Sequence, residues 1–157
     1  MKKYILALLL GLAVSSHAFA LSCNMSQSAG QPDECWTLVT VSSAETTLVS
    51  RGTVLVLDTS ATTPRQGVTR VKVSSASGDT AIGVAQGTIV SGASTSVMVR
   101  GYGFIKTNGG VTVAQNLSTA ASGGSGVAAV SGSSAIATSL ATTSGGSQET
   151  QAFIRVV

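Results

Sequence analysis

Apolar residues along this chain alternate with polar ones or gather in short runs, and no stretch sustains a helical period. Cys35–Ser42 (CWTLVTVS) reads as the first strand, with Trp36, Leu38 and Thr40 on one face and Thr37, Val39 and Val41 on the other. Apolar residues on both faces predict that both are partly covered. Leu48-Val49 and the apolar run Thr53–Leu57 follow, split by Arg51-Gly52, and Asp58–Gly67 with Pro64 reads as a loop. In Val68–Ser74 the alternation predicts Val71 and Val73 inward, Arg70 and Lys72 outward, before a turn at Ser77-Gly78-Asp79.

Ala81–Lys106 is the stretch on which the rest is organised, read as strand, turn, strand, turn, strand. Its candidate core residues are Ile82, Val84, Ile89, Val97, Val99, Phe104 and Ile105, and Gly83, Gly87, Gly101 and Gly103 mark bulges or bends. Asn108-Gly109 carries a hairpin signal, followed by Val111–Val113 and Asn116-Leu117. Ala120–Gly126 and Ser131–Ser134 read as small-residue loops around Val127–Val130, and Ser133–Thr142 favours a strand over a short helix. About 54 residues after the central stretch, Ala135–Val157 echoes it: an Ala-Ile start, threonines, a Ser-Gly turn and a closing hydrophobic run with an arginine. The fold expected is all-β, a small barrel or sandwich built from two related β-units.

The first twenty residues stand outside that pattern. Lys2 and Lys3, the apolar run Ile5–Val14 and the small-x-small sequence Ala18-Phe19-Ala20 have the form of a secretory signal peptide, too short in its apolar part to span a bilayer. Cleavage after Ala20 leaves a chain from Leu21, organised as an arm or loop over residues 21–34 and one β domain over 35–157. Cys23 and Cys35, the only cysteines, then form a disulfide in an oxidising compartment. The alternative is lipidation of Cys23, since Ala20-Leu21-Ser22-Cys23 loosely resembles a lipobox; only then is a membrane involved.

Removing the leader changes the charge. The chain has nine Lys and Arg against six Asp and Glu. Without Lys2 and Lys3 the balance falls to about +1, which gives no electrostatic drive toward nucleic acid. The only histidine, His17, leaves as well, and with it imidazole-based catalysis. Of the acids Asp33, Glu34, Glu45, Asp58, Asp79 and Glu149, the first two sit in a loop and Asp58 and Asp79 at turns, with no metal-ligating cluster and no S-x-x-K nucleophile. A non-enzymatic protein without cofactor or small-molecule substrate is expected. Aromatic residues are only 4% of the chain. A core of valine and alanine is thin, and such a core gains stability from oligomerisation. Arg100, Tyr102, Arg155 and Trp36 are the candidate interface residues.

Between Gly52 and Val157 the pieces Gly78-Asp79, Ile82-Gly83-Val84-Ala85, Gly92 with Val97–Gly101, Val111–Leu117, Ala135–Ala141 and Phe153–Val157 follow one another in order. In this the chain resembles the small β-barrel capsid decoration (cement) proteins of tailed phages. The resemblance implies a trimeric β-barrel seated on a lattice of other subunits; the leader and the cysteine pair depart from that family. The leading expectation is therefore an exported structural or surface protein, periplasmic, cell-surface or extracellular, that packs on or between other coat or surface subunits. A virion decoration protein is the first alternative. The second is a secreted adhesin or carbohydrate-binding module using Trp36 and Tyr102.

Overall fold

The computed structural model describes residues 21–24, 34–45, 48–60, 69–120, 123–129 and 133–156, and every regular element among them is a strand. The leader with Ala18 and Ala20, most of the loop predicted at Asp58–Gly67, and Asp33 lie outside the described residues. In chain order the strands are β1 Leu21–Asn24, β2 Glu34–Val41, β3 Val54–Leu57, β4 Thr69–Val73, β5 Ala81–Val84, β6 Ser94–Asn108, β7 Asn116–Thr119, β8 Gly126–Ala128, β9 Ala137–Ser139 and β10 Ser147–Arg155.

Their pairings close two circuits that share β6. In the first, β2 runs parallel to β4, β4 pairs antiparallel with β3, β3 with β5, β5 with β6, and β6 returns to β2. The second repeats the same order one unit on: β6 runs parallel to β8, then β8 pairs antiparallel with β7, β7 with β9, β9 with β10, and β10 with β6. An isolated bridge precedes the long strand of each circuit, Val49↔Ile89 in one and Val111↔Thr143 in the other. The echo of Ala81–Lys106 in Ala135–Val157 is thus the visible part of a topological repeat of two five-stranded barrels. β6 closes the first barrel and opens the second.

The 15 residues of β6 divide between the two jobs. Ser94–Arg100 pair with β2, and Arg100–Asn108 pair with β10. At the changeover, β6 bulges against Cys35/Trp36, and Gly101 takes φ 132°, where a Cβ would lie 3.1 Å from Cγ of Glu34. Glycine permits this local turn of the strand without breaking its ladder. A second bulge lets the short β5 pass Leu55/Val56 of β3.

Two apolar clusters fill the barrels. Val39, Val41, Val49, Leu55, Val71, Ala85, Ile89 and Val97 form the first. The second joins Ile105, Val111, Leu117, Ile136, Ala137, Ala152 and Ile154 to Val54, Ala81, Val84 and Met98. These last four sit on β3, β5 and β6 of the first barrel and point away from its own core. The first barrel's outer face therefore completes the second barrel's interior.

Several expectations change. The bend expected at Gly101 is present where β6 changes partners, whereas the β10 ladder runs unbroken past Gly103. Asn108-Gly109 does not close a hairpin: the Gly109 amide donates to Gly146 O and carries the β6–β10 alignment onward. Val111 keeps only a bridge and Val113 is exposed in a turn, so no strand covers Val111–Val113. Of the predicted core, Val84, Ile89, Val97 and Ile105 are buried, whereas Ile82, Val99 and Phe104 are only half-buried. The N-terminal arm is not all loop, since β1 pairs with β2.

Candidate functional site

Residues of β6 and β10 that face away from the second core line up across the ladder. Lys106 stands opposite Glu149, Phe104 opposite Gln151, Tyr102 opposite Phe153, and Arg100 opposite Arg155. The Val156 amide donates to Val99 O at 2.8 Å, which makes 99/156 a hydrogen-bonded pair. By alternation, each of the four outward pairs is a non-hydrogen-bonded one, in which facing side chains come closest. The result is a continuous stripe two residues wide.

One end of the stripe carries an ion pair. Arg51 donates to Oε2 of Glu149 through Nε at 2.9 Å and Nη2 at 2.6 Å, and its guanidinium lies 4.1 Å from the Phe104 ring centroid. Lys106 Nζ donates to Ser50 Oγ. The free edge of β6 beside Phe104 is closed by a side chain: Gln86 accepts from Phe104 N at 2.9 Å and donates to Phe104 O at 3.0 Å. This amide stands in for a strand where β2 has left β6 and β8 has not yet joined it.

At the centre, Tyr102 and Phe153 meet edge to face with ring centroids 5.3 Å apart, and Tyr102 is 53% exposed. Tyr102, Gly103, Phe104, Leu140 and Gln151 line a shallow depression of about 220 Å³ next to them. At the far end Arg155 Nη2 donates to Asn116 Oδ1 at 2.8 Å, and the Thr138 hydroxyl bonds to the same oxygen at 3.1 Å.

Three of the four candidate interface residues, Arg100, Tyr102 and Arg155, thus meet on one face. Trp36 is half-buried against the second core with Val156 and lies outside the stripe. Phe153 and Leu140 belong to the surface without standing out in the sequence, and Phe104, expected in the core, joins them. The register of β10 on β6 was the missing signal. Cys23 and Cys35 are direct cross-strand partners in β1–β2 and form a disulfide.

A second concavity of about 560 Å³ lies between Gly78–Ala81, Ser118-Thr119 and Ser133–Ile136. Its polar groups already serve the turn there. Asp79 Oδ2 accepts from Ser75 N at 3.1 Å, Ala76 N at 3.0 Å and Ser74 Oγ at 3.2 Å. Thr119 Oγ1 accepts from Gly78 N and donates to Asp79 O. Among the described residues no group of three or more His, Cys, Asp or Glu could hold a metal ion.

No protein-family model matches this chain, and no curated protein matches it. Among solved structures it is similar to the N base of the head fiber protein gp8.5 of bacteriophage phi29, with a TM-score of 0.54 and 15% identity over 76% of this chain and 92% of that one. At that identity the likeness is one of fold.

Proposed function

We propose that this chain is a non-catalytic structural protein that packs on or between other protein subunits through the outward stripe of the β6–β10 ladder. The observation that carries the reading is the stripe itself. It sets Tyr102 and Phe153 beside Arg100 and Arg155 on the two longest strands, and interface centres are enriched in aromatic residues and arginine. The fold of a phage head fiber base supports a coat or virion setting for such a surface. Copies also assemble with one another, since the cores are mostly valine and alanine and Leu38, Leu48, Leu57 and Val90 stay exposed on the first barrel; the resemblance to phage decoration proteins makes three the expected number.

Light scattering on the purified chain tests the assembly, with a trimer mass expected. Tyr102→Asp is expected to abolish co-sedimentation with the coat or particle that carries the protein while leaving its melting temperature unchanged. Retained co-sedimentation would overturn the assignment of the stripe.

The leader-like N-terminus and the disulfide favour export; the fold likeness favours a virion. N-terminal sequencing of the native protein separates them, with Leu21 expected for export and Met1 for a virion subunit.

A further inference from the structure

We infer that Arg100 and Arg155 form a two-guanidinium seat for the carboxylates of an acidic segment in a partner protein that is not a second copy of this chain. The inference rests on the stripe being a contact face and names the chemistry of what it contacts.

Two arginines directly opposite each other in a non-hydrogen-bonded pair repel, and nothing in the β-pattern requires them there. Arg155 is held by Asn116, whose oxygen is shared with Thr138, so one guanidinium is fixed in place beside Arg100. Among the described residues the one ion pair is Arg51–Glu149, at the other end of the stripe. Among the described residues neither arginine at this end forms an ion pair, and the one acid nearby is Glu34, packed against Gly101; the pair stands next to the apolar surface of Tyr102, Phe153 and Leu140.

Among the described residues, the acids of a second copy are mostly engaged already. Its Glu149 is taken by Arg51, and its Glu45 accepts from Val73 N at 2.9 Å. Asp58 accepts from Ser60 N and Oγ, and Asp79 holds the turn at residues 74–76. Glu34 lies with its Cγ against Gly101, beside Arg100 of its own chain. Polyanions fit less well than a peptide. Of the other cations on this face, Arg51 is paired with Glu149, and Lys106, still charged though bonded to Ser50, stands at the far end of the ladder from Arg100, so the positive patch at this end is two residues wide. A segment with glutamate or aspartate beside an apolar side chain matches both halves of the surface: carboxylates take the guanidiniums in charge-assisted hydrogen bonds, and the apolar side chain covers the Tyr102–Phe153 pair.

The test is fluorescence anisotropy on the full chain at low ionic strength. The probe is a fluorescein-labelled peptide alternating glutamate with leucine; a glutamine-for-glutamate peptide, a single-stranded DNA oligonucleotide and phosphatidylglycerol vesicles are the comparisons. Binding of the acidic peptide alone is expected, weakened about threefold by R100Q or R155Q and about tenfold or more by the double variant. R70Q, on β4 of the first barrel, should leave it unchanged. Thermal melts of each variant confirm that the fold is retained. Equal binding by the double variant, no binding by the wild type, or preference for the oligonucleotide or the vesicles would overturn the acidic-peptide seat. If any of these occurs while Tyr102→Asp still abolishes particle co-sedimentation, the contact face stands and only its partner's chemistry is lost.

Discussion

Single residues carry much of the turn geometry here, and two aspartates make it sensitive to acid. Asp58 Oδ1 accepts from the Ser60 hydroxyl at 2.6 Å and the Ser60 amide at 3.1 Å, and the hydroxyl bond is the main cause holding its carboxyl below the ordinary 3.8. At Asp79 burial alone would raise the pKa, but the Ala76 and Ser75 amides and the Ser74 hydroxyl outweigh it and the net shift is downward from 3.8. A depressed folded-state pKa contributes stability that is present above the unfolded value and lost as pH falls through the folded one. Melting temperature should hold steady down to about pH 4 and fall below it. Asp79→Asn should shrink that acid-side drop and cost about 1–2 kcal/mol at neutral pH, read by urea titration at both pH values. Backbone space is as tight at Gly52, whose φ is 80° and whose carbonyl accepts from Lys106 N at 2.8 Å. A Cβ there would stand 2.7 Å from that same nitrogen, so Gly52→Ala must strain its own backbone and push β6 away. A loss of at least about 2 kcal/mol is expected in the urea midpoint.

Among the elements, β1 depends most on a covalent tie. It pairs with β2 alone, at the end of the strand order, and Cys23–Cys35 closes a loop of sequence separation 12. Replacing both cysteines by serine should lower stability by about 3 kcal/mol or less. Hydrogen exchange should show β1 amides losing protection while β2 keeps its own, because β2 still pairs with β4 and β6. How well each strand could be read from sequence follows from where its partners lie. The alternation in β2 and β4 was legible, since Val39, Val41 and Val71 face a core built of the same small β-branched residues. At Asn108-Gly109 the hairpin expectation fails for a physical reason. An Asn-Gly pair suits a tight turn, and what carries the chain onward there is the bond from the Gly109 amide to Gly146 O beside a strand distant in sequence. The bend at Gly101 was legible, but its cause, the passing of β6 from β2 to β10, is not local. The stripe was half legible: Arg100, Tyr102 and Arg155 stood out as residues, but only register places them side by side.

For the whole molecule, the question is whether two barrels with separate apolar clusters unfold separately. The connections argue that they do not. β6 belongs to both circuits, so melting it opens both at once. The second core also takes Val54, Ala81, Val84 and Met98 from the first barrel, and losing that barrel would strip away one wall of it. Leu55 and Ile154 are each fully buried, one in each cluster. Leu55→Ala and Ile154→Ala should each cost about 2–5 kcal/mol. Both should shift one common transition in scanning calorimetry, with calorimetric and van't Hoff enthalpies in agreement. Two resolved transitions, each moved by only one of the variants, would mean that the shared strand does not couple the barrels. A stripe carried on β6 and β10 would then owe its rigidity to the second barrel alone. With a single transition, the proposed contact face is instead backed by the whole fold, and a subunit docked there would stabilise both barrels together, raising the one melting temperature as its concentration rises.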